Sequence, residues 1–315
     1  MTSLKYKTNK RISLLASGLK YIIIPGANGA NAYEVTSTFV KSIKDIRLTE
    51  RAAAISYNFL LAIPPSLIFL FSLATFLPPA TVHDVVLNSI QSLSPNPKLF
   101  AALEAIITDF MNNKKRELLS FGFLFTVIVS SNGVMGILRS FDRDSPAQIK
   151  RTGIARRWKA LWITLGLMLL LLISITVIII QTSIIDKFIM EHIGNAVLIK
   201  ILSGCTLFLV LYFAICILYK YGPSLNQKFP FFSTGALLAS LLFVMISIGF
   251  FFIANNFINY NKVYGSIGTL LMLMIWTFIT GLVILIGYEI NLTILLFAEK
   301  KKNIAAKANK GSSKP

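Results

Sequence analysis

The sequence predicts an all-α fold: a polytopic membrane protein with six transmembrane helices plus interfacial amphipathic helices. Three observations carry that prediction. Of the 315 residues, 55% are hydrophobic and only 14% are charged, and the mean hydropathy is +0.70, too apolar for a soluble chain of this length. Six apolar runs approach the ~20 residues that cross ~30 Å of hydrocarbon as a helix. Basic residues are shared unevenly between alternate connecting segments. With the N-terminus inside, 24 of the 31 Lys and Arg fall on the cytoplasmic side, which places both termini in the cytoplasm.

Residues 1–50 form a basic cytoplasmic region. Val35, Phe39, Ile43 and Ile46 recur at helical spacing with Lys41, Lys44 and Arg47 between them, as in a helix lying in the inner interface. The stretch RISLLASGLKYIII has the length of a signal-peptide core, but Lys20 interrupts it, so retention is expected.

A transmembrane domain follows over 51–298. Its first run, near Ala54 to Leu77, contains ISYNFLLAIPPSL, which sets Tyr57 and Asn58 in the membrane and Pro64 and Pro65 near mid-span. Each proline removes a backbone donor, so a kinked or broken helix is expected. Between the first two runs, about 82–112, two apolar faces flank the turn Ser94 to Pro97 and predict an outer helical hairpin. It reads as a lid on the bundle or as a partner-docking surface.

The second run, near Leu118 to Leu138, ends SSNGVMGILRSFDRDSP. Asn132 with its serines can make interhelical hydrogen bonds, and Gly133 and Gly136 suit close packing. Arg139 would snorkel to the inner interface. Asp142 and Asp144 could chelate a cation, but among so many basic residues a charge-balanced loop is the preferred reading, and no metal is assigned. Runs three to five lie near Trp158 to Ser183, Ala196 to Tyr219 and Phe231 to Ala254. Cys205 and Cys216 are too far apart for a zinc or redox pair and read as buried small hydrophobes.

Between runs five and six, Asn255, Asn256, Asn259 and Asn261 are expected in an outer turn with Tyr260 and Tyr264 at headgroup depth. Gly265 and Gly268 then allow a close helix crossing. The sixth run, near Gly265 to Ala298, is longer than a span needs. It carries Glu289, the one acidic residue inside a predicted span. Glu289 could pair with Arg139, Arg51 or Lys220 as a structural lock, with Asn291 as a second polar contact, or could titrate on a transport path. The lock is preferred. Residues 299–315, rich in Lys, Ala and Ser, are expected to be a disordered tail near anionic lipid.

At these residues the chain resembles the YihY/virulence factor BrkB family of bacterial inner-membrane proteins. The resemblance is carried by RAAAISYNFLLAIPPSL, NGVMGILRSFD, LYKYGP, NYNKVYGSIG with Trp276 shortly after, and GYEIN, in that order from Arg51 to Asn291. It implies a six-span protein of the cytoplasmic membrane with links to envelope integrity and a part in lipid or solute movement. Family members have also carried a ribonuclease BN label.

Charge and chemistry limit the function classes. A net charge of +18 would suggest nucleic acid in a soluble protein, but topology accounts for it here. A nuclease would need an acidic and histidine cluster, whereas His83 and His192 fall on the outer side. The expectation is therefore a non-enzymatic chain without cofactor or nucleic-acid partner. Membrane lipids are its immediate partners, and an envelope protein or a second copy is possible. A lipid- or solute-moving protein and a non-transporting scaffold docking through the outer hairpin are the two readings carried forward.

Overall fold

A computed structural model describes residues 31, 33–34, 36–37, 47–74, 116–142, 149, 151–257 and 266–311. Most of residues 1–50, including the predicted interfacial helix, lies outside the described residues. So do the outer hairpin at 82–112, His83, Asp144, Tyr264 and Gly265.

Every long element among the described residues is helical. They are α1 (Leu48–Ala74), α2 (Arg116–Phe141), α3 (Gly153–Ile180), α4 (Asp186–His192), α5 (Ala196–Tyr221), α6 (Thr234–Phe257) and α7 (Ser266–Gly311). Each of the six apolar runs falls largely within one of the six long helices. Four segments are long and apolar enough to cross a membrane: Gly153–Ile180, Val197–Tyr221, Thr234–Ile253 and Leu270–Lys300. Phe125–Phe141 is a shorter apolar helix. The chain is thus an all-α membrane protein. Large apolar side chains such as Ile173, Met245 and Ile248 stand exposed along these helices, as lipid-facing surfaces require.

Local chemistry explains the helix ends. Gly194 adopts φ +67, the left-handed conformation that stops α4, with its N–H donating to Ile189 O. Asn195 then starts α5 by accepting from the N–H groups of Val197 (3.0 Å) and Leu198 (3.2 Å). Between α3 and α4 the chain passes through one π-helical stretch, Gln181–Ile185, so the two form one bulged rod.

The chain divides into two compact units. The first comprises Met1–Ser56, Ile137–Thr152 and Leu211–Pro315; its core includes Ala52, Leu138, Phe141, Tyr219, Leu285 and Tyr288. The second comprises Tyr57–Gly136 and Gly153–Val210, and buries Ala62, Val127, Val134, Met135, Ala160 and Ile163.

Pro64 and Pro65 lie inside one continuous helix, α1, so of the kink or break expected there no break occurs; each proline removes a backbone donor from the helix. Three expectations are corrected. The segment 299–311 is not a disordered tail but the end of α7. Its Lys and Ala residues are strong helix formers, and they extend a helix already nucleated upstream. Asn255 and Asn256 lie in the last turn of α6 rather than in the following turn. Cys205 is exposed on the apolar surface of α5, whereas Cys216 is buried.

Candidate functional site

In the first unit, the polar side chains gather around Arg51 on α1. Its Nη1 donates to Glu289 Oε1 on α7 at 2.8 Å, and its Nε donates to Ser140 O at the end of α2 at 2.7 Å, with Nη2 also directed to that carbonyl. Ser140 Oγ returns a bond to Arg51 O. Glu289 is only 1% exposed while Arg51 is partly exposed, and a guanidinium fork satisfying a carboxylate and a carbonyl together is the geometry that makes burial of the carboxylate tolerable. Of the three cations considered for Glu289, Arg51 is the one that pairs with it. Arg139 is exposed at the end of α2, where its charge complements the helix dipole.

Two residues along α7, Asn291 acts on the start of α6. Its Oδ1 accepts from Gly235 N–H (2.8 Å) and its Nδ2 donates to Ser233 Oγ (2.8 Å), while Ser233 Oγ accepts from Ala236 N–H. The first donors of α6 are thus capped by its own serine and by a residue 56 positions away. The approach is close: a Cβ on Gly235 would stand 2.6 Å from Asn291 Cγ, and one on Gly287 would stand 2.7 Å from Ala239 Cβ. Gly235 and Gly287 therefore provide a tight crossing of α6 and α7, in addition to the one expected at Gly265 and Gly268. Of those two only Gly268 is described, as a buried residue early in α7.

Aromatic rings close the same end. Phe141 stacks on Tyr288 with centroids 4.3 Å apart, Tyr288 OH donates to Phe141 O, and Tyr219 OH donates to Ile284 O at 2.6 Å. Arg151 fastens the turn after α5 through Gly222 O and Pro223 O, both at 3.0 Å, and Ser224 Oγ donates to Asp142 Oδ1.

In the second unit, α1 and α2 pack through small residues. A Cβ on Gly133 would meet Ala62 Cβ at 3.3 Å, and one on Gly136 would lie 2.7 Å from Asn58 Cβ. Ser66 Oγ and Ser130 Oγ share a 2.8 Å hydrogen bond beyond that contact, just after buried Pro65. Tyr57 points elsewhere: it is 64% exposed, so it is a surface residue rather than an interior polar contact. Asn132 Oδ1 accepts from Arg157 Nη1 on α3 at 2.6 Å, and Arg157 Nη2 donates to Ile128 O at 2.9 Å. At the π-helical stretch, buried Gln181 bridges to α5, donating to Ser203 Oγ (2.8 Å) and accepting from Thr206 Oγ1 (2.9 Å).

Sequence reasoning did not single out Arg157, Gln181, Ser233 or Gly235. Gln181 carried the one available signal, an amide within the third apolar run. Among the described residues, no group of three or more His, Cys, Asp or Glu is placed to hold a metal ion.

A family model described as Virulence factor BrkB matches residues 39–311. The chain belongs to the BrkB family. Relatives of this BrkB-family protein include YfkH of Bacillus subtilis (strain 168), described as ribonuclease-like. It is 30% identical over 255 residues, covering 80% of this chain and 90% of YfkH. A UPF0761 membrane protein of Haemophilus influenzae (strain 86-028NP) is 25% identical, covering 81% and 93%. One from Alteromonas mediterranea (strain DSM 17117 / CIP 110805 / LMG 28347 / Deep ecotype) is 23% identical, covering 84% and 88%. No solved structure matches the chain. In the BrkB-family chain described here, segments that carry the resemblance meet in the first unit. The helix-one segment supplies Arg51, the end of α2 Ser140 and Phe141, the α5 exit Tyr219 and Gly222, and GYEIN both Glu289 and Asn291.

Proposed function

We propose that this BrkB-family membrane protein crosses the bacterial cytoplasmic membrane six times with both termini in the cytoplasm, and supports envelope integrity by moving lipid or a small solute. The distribution of basic residues supports that orientation. The transport reading is carried by the polar side chains of the second unit. Asn132 with Arg157, Ser66 with Ser130, and Gln181 with Ser203 and Thr206 lie in strongly apolar helices, where polar groups are expensive and tend to mark a path. The Arg51–Glu289 pair, with its carboxylate already engaged, fits a lock better than a titrating relay. Its role is to hold the helix ends of the first unit. The reading is non-enzymatic, with lipid as the immediate partner and self-association allowed.

The test is phospholipid flux in liposomes containing the purified protein, followed as bleaching of fluorescent lipid by an impermeant reductant. Empty vesicles and a leakage control accompany it. Bleaching beyond the outer-leaflet fraction without leakage is the expected result. Bleaching that stops at the outer leaflet removes unassisted lipid movement and turns attention to solutes and to docking through residues 82–112.

A further inference from the structure

Arg157, near the start of α3, is a cation whose two hydrogen-bond acceptors are both neutral. Its Nη1 donates to the Asn132 amide and its Nη2 to the Ile128 carbonyl, which uses two of five donors. The ion pairs Arg47–Glu50 and Arg51–Glu289 do not include it. α3 has no acidic residue in its first turn and none further along. The bond to Ile128 lies at the protein surface, so the guanidinium is fixed in orientation yet reachable.

Both helices that carry these groups also expose large apolar side chains. On α2, Phe125 and Ile128 are exposed. On α3, Trp158 and Trp162 are 62% and 69% exposed, and their face continues through Leu165, Leu169 and Ile173 at helical spacing. Tryptophan is enriched at headgroup depth in membrane proteins, and an exposed aliphatic face of this kind matches acyl chains. A guanidinium pre-oriented by two neutral acceptors is suited to a phosphate, which it can engage with two parallel N–H groups.

We infer that Arg157, fixed by Asn132 and Ile128 between α2 and α3, binds the phosphate of an anionic phospholipid of the inner leaflet, whose chains lie along the Trp158 to Ile173 face. The inference rests on the orientation and lipid-handling role proposed above, and names the lipid class and its contact. Asn132 is a positioning residue, since it acts on the phosphate through the guanidinium.

The protein supplies its own probe. It contains three tryptophans, and replacing Trp276 with Phe leaves Trp158 and Trp162 as reporters beside the site. The protein would be reconstituted with brominated phosphatidylglycerol or brominated phosphatidylcholine, each in competition with its unbrominated partner. Tryptophan quenching then gives the relative affinity of the two lipids. The expected preference for phosphatidylglycerol is about five-fold, from one cation at the membrane surface. Arg157→Gln should bring it to about one, whereas Arg157→Lys should keep part of it.

Because Arg157→Gln loses two structural bonds, Asn132→Ala supplies a second route: it keeps the charge but frees the guanidinium, and should weaken the preference without abolishing it. An unchanged preference in both Arg157→Gln and Asn132→Ala overturns the site. So does equal quenching by the two lipids in wild type. A tryptophan response to inorganic phosphate that Arg157→Gln abolishes, in a wild type that shows no lipid preference, overturns the lipid assignment in favour of a soluble anion. Preference and flux are separate readouts: selective binding without flux sinks the transport reading alone, and flux without preference sinks this site alone.

Discussion

Arg51 Nη1 lies 2.8 Å from Glu289 Oε1, joining side chains 238 residues apart and tying α1 to α7, while the same guanidinium grips the Ser140 carbonyl of α2. Three helices therefore depend on one partly buried cation. Removing one member of such a pair leaves the other charged and unsatisfied, which typically destabilises by about 3–5 kcal/mol. Glu289→Gln should lower thermal stability in detergent and protein level together. Arg51→Met combined with Glu289→Leu should recover part of the loss, because two uncompensated charges disappear at once. A stable Glu289→Gln protein that has lost flux would instead assign the carboxylate to transport, and normal behaviour in both assays would deny it either role.

Asn291 holds the start of α6 from outside that helix. Asn291→Ala removes an acceptor for Gly235 N–H and a donor to Ser233 Oγ, both buried, with an expected loss of about 1–2 kcal/mol. The effect should be local. Hydrogen exchange at residues 235–237 should accelerate, whereas the centre of α6 should keep wild-type protection. Equal acceleration along the helix would contradict a capping role.

What the sequence made legible follows from how conspicuous each signal is in lipid. Six apolar runs and one buried acid stand out because a charge or a backbone gap in hydrocarbon is costly, so the helices and Glu289 could be recognised locally. The identity of its partner could not: Arg51, Arg139 and Lys220 were equivalent until the fold brought α1 beside α7. Arg157 was hidden for another reason, since it lay in a basic segment whose charge topology already explained. Gly235 and Gly287 sit alone in their own segments, and only their crossing gives them meaning. The helical end of α7 was missed because the absence of an apolar face was read as disorder, although an existing helix needs no such face to continue.

The Gln181 clasp should contribute less than its burial suggests. Gln181→Leu removes the bonds to Ser203 and Thr206, but Thr206 Oγ1 also bonds Leu202 O within its own helix. Interhelical polar contacts in membranes average about 0.6 kcal/mol, with about 1.7 as an upper value. A small fall in stability is therefore expected, read by thermal unfolding, with Ser203→Ala giving most of the same effect. A loss as large as that of Glu289→Gln would mean that the π-helical stretch itself depends on the clasp.

The two classes of glycine should respond oppositely to the same methyl group. A Cβ on Gly235 would collide with the Gly287 carbonyl and with Asn291, and because the first obstacle is backbone it cannot rotate away. Gly235→Ala should force α6 and α7 apart, with a penalty of about 1–3 kcal/mol and with the Asn291 cap disturbed as well. Gly249, further along the same helix, has nothing within 4 Å of the corresponding position. There the methyl only restricts the unfolded backbone, and Gly249→Ala should be neutral or stabilising by about 0.5–1 kcal/mol. Thermal unfolding of the two variants under one detergent condition checks the crossing directly. If both substitutions are harmless, α6 and α7 are not in the contact that Gly235 and Gly287 describe; if both are damaging, the surface of α6 around Gly249 is covered by a second copy of the chain.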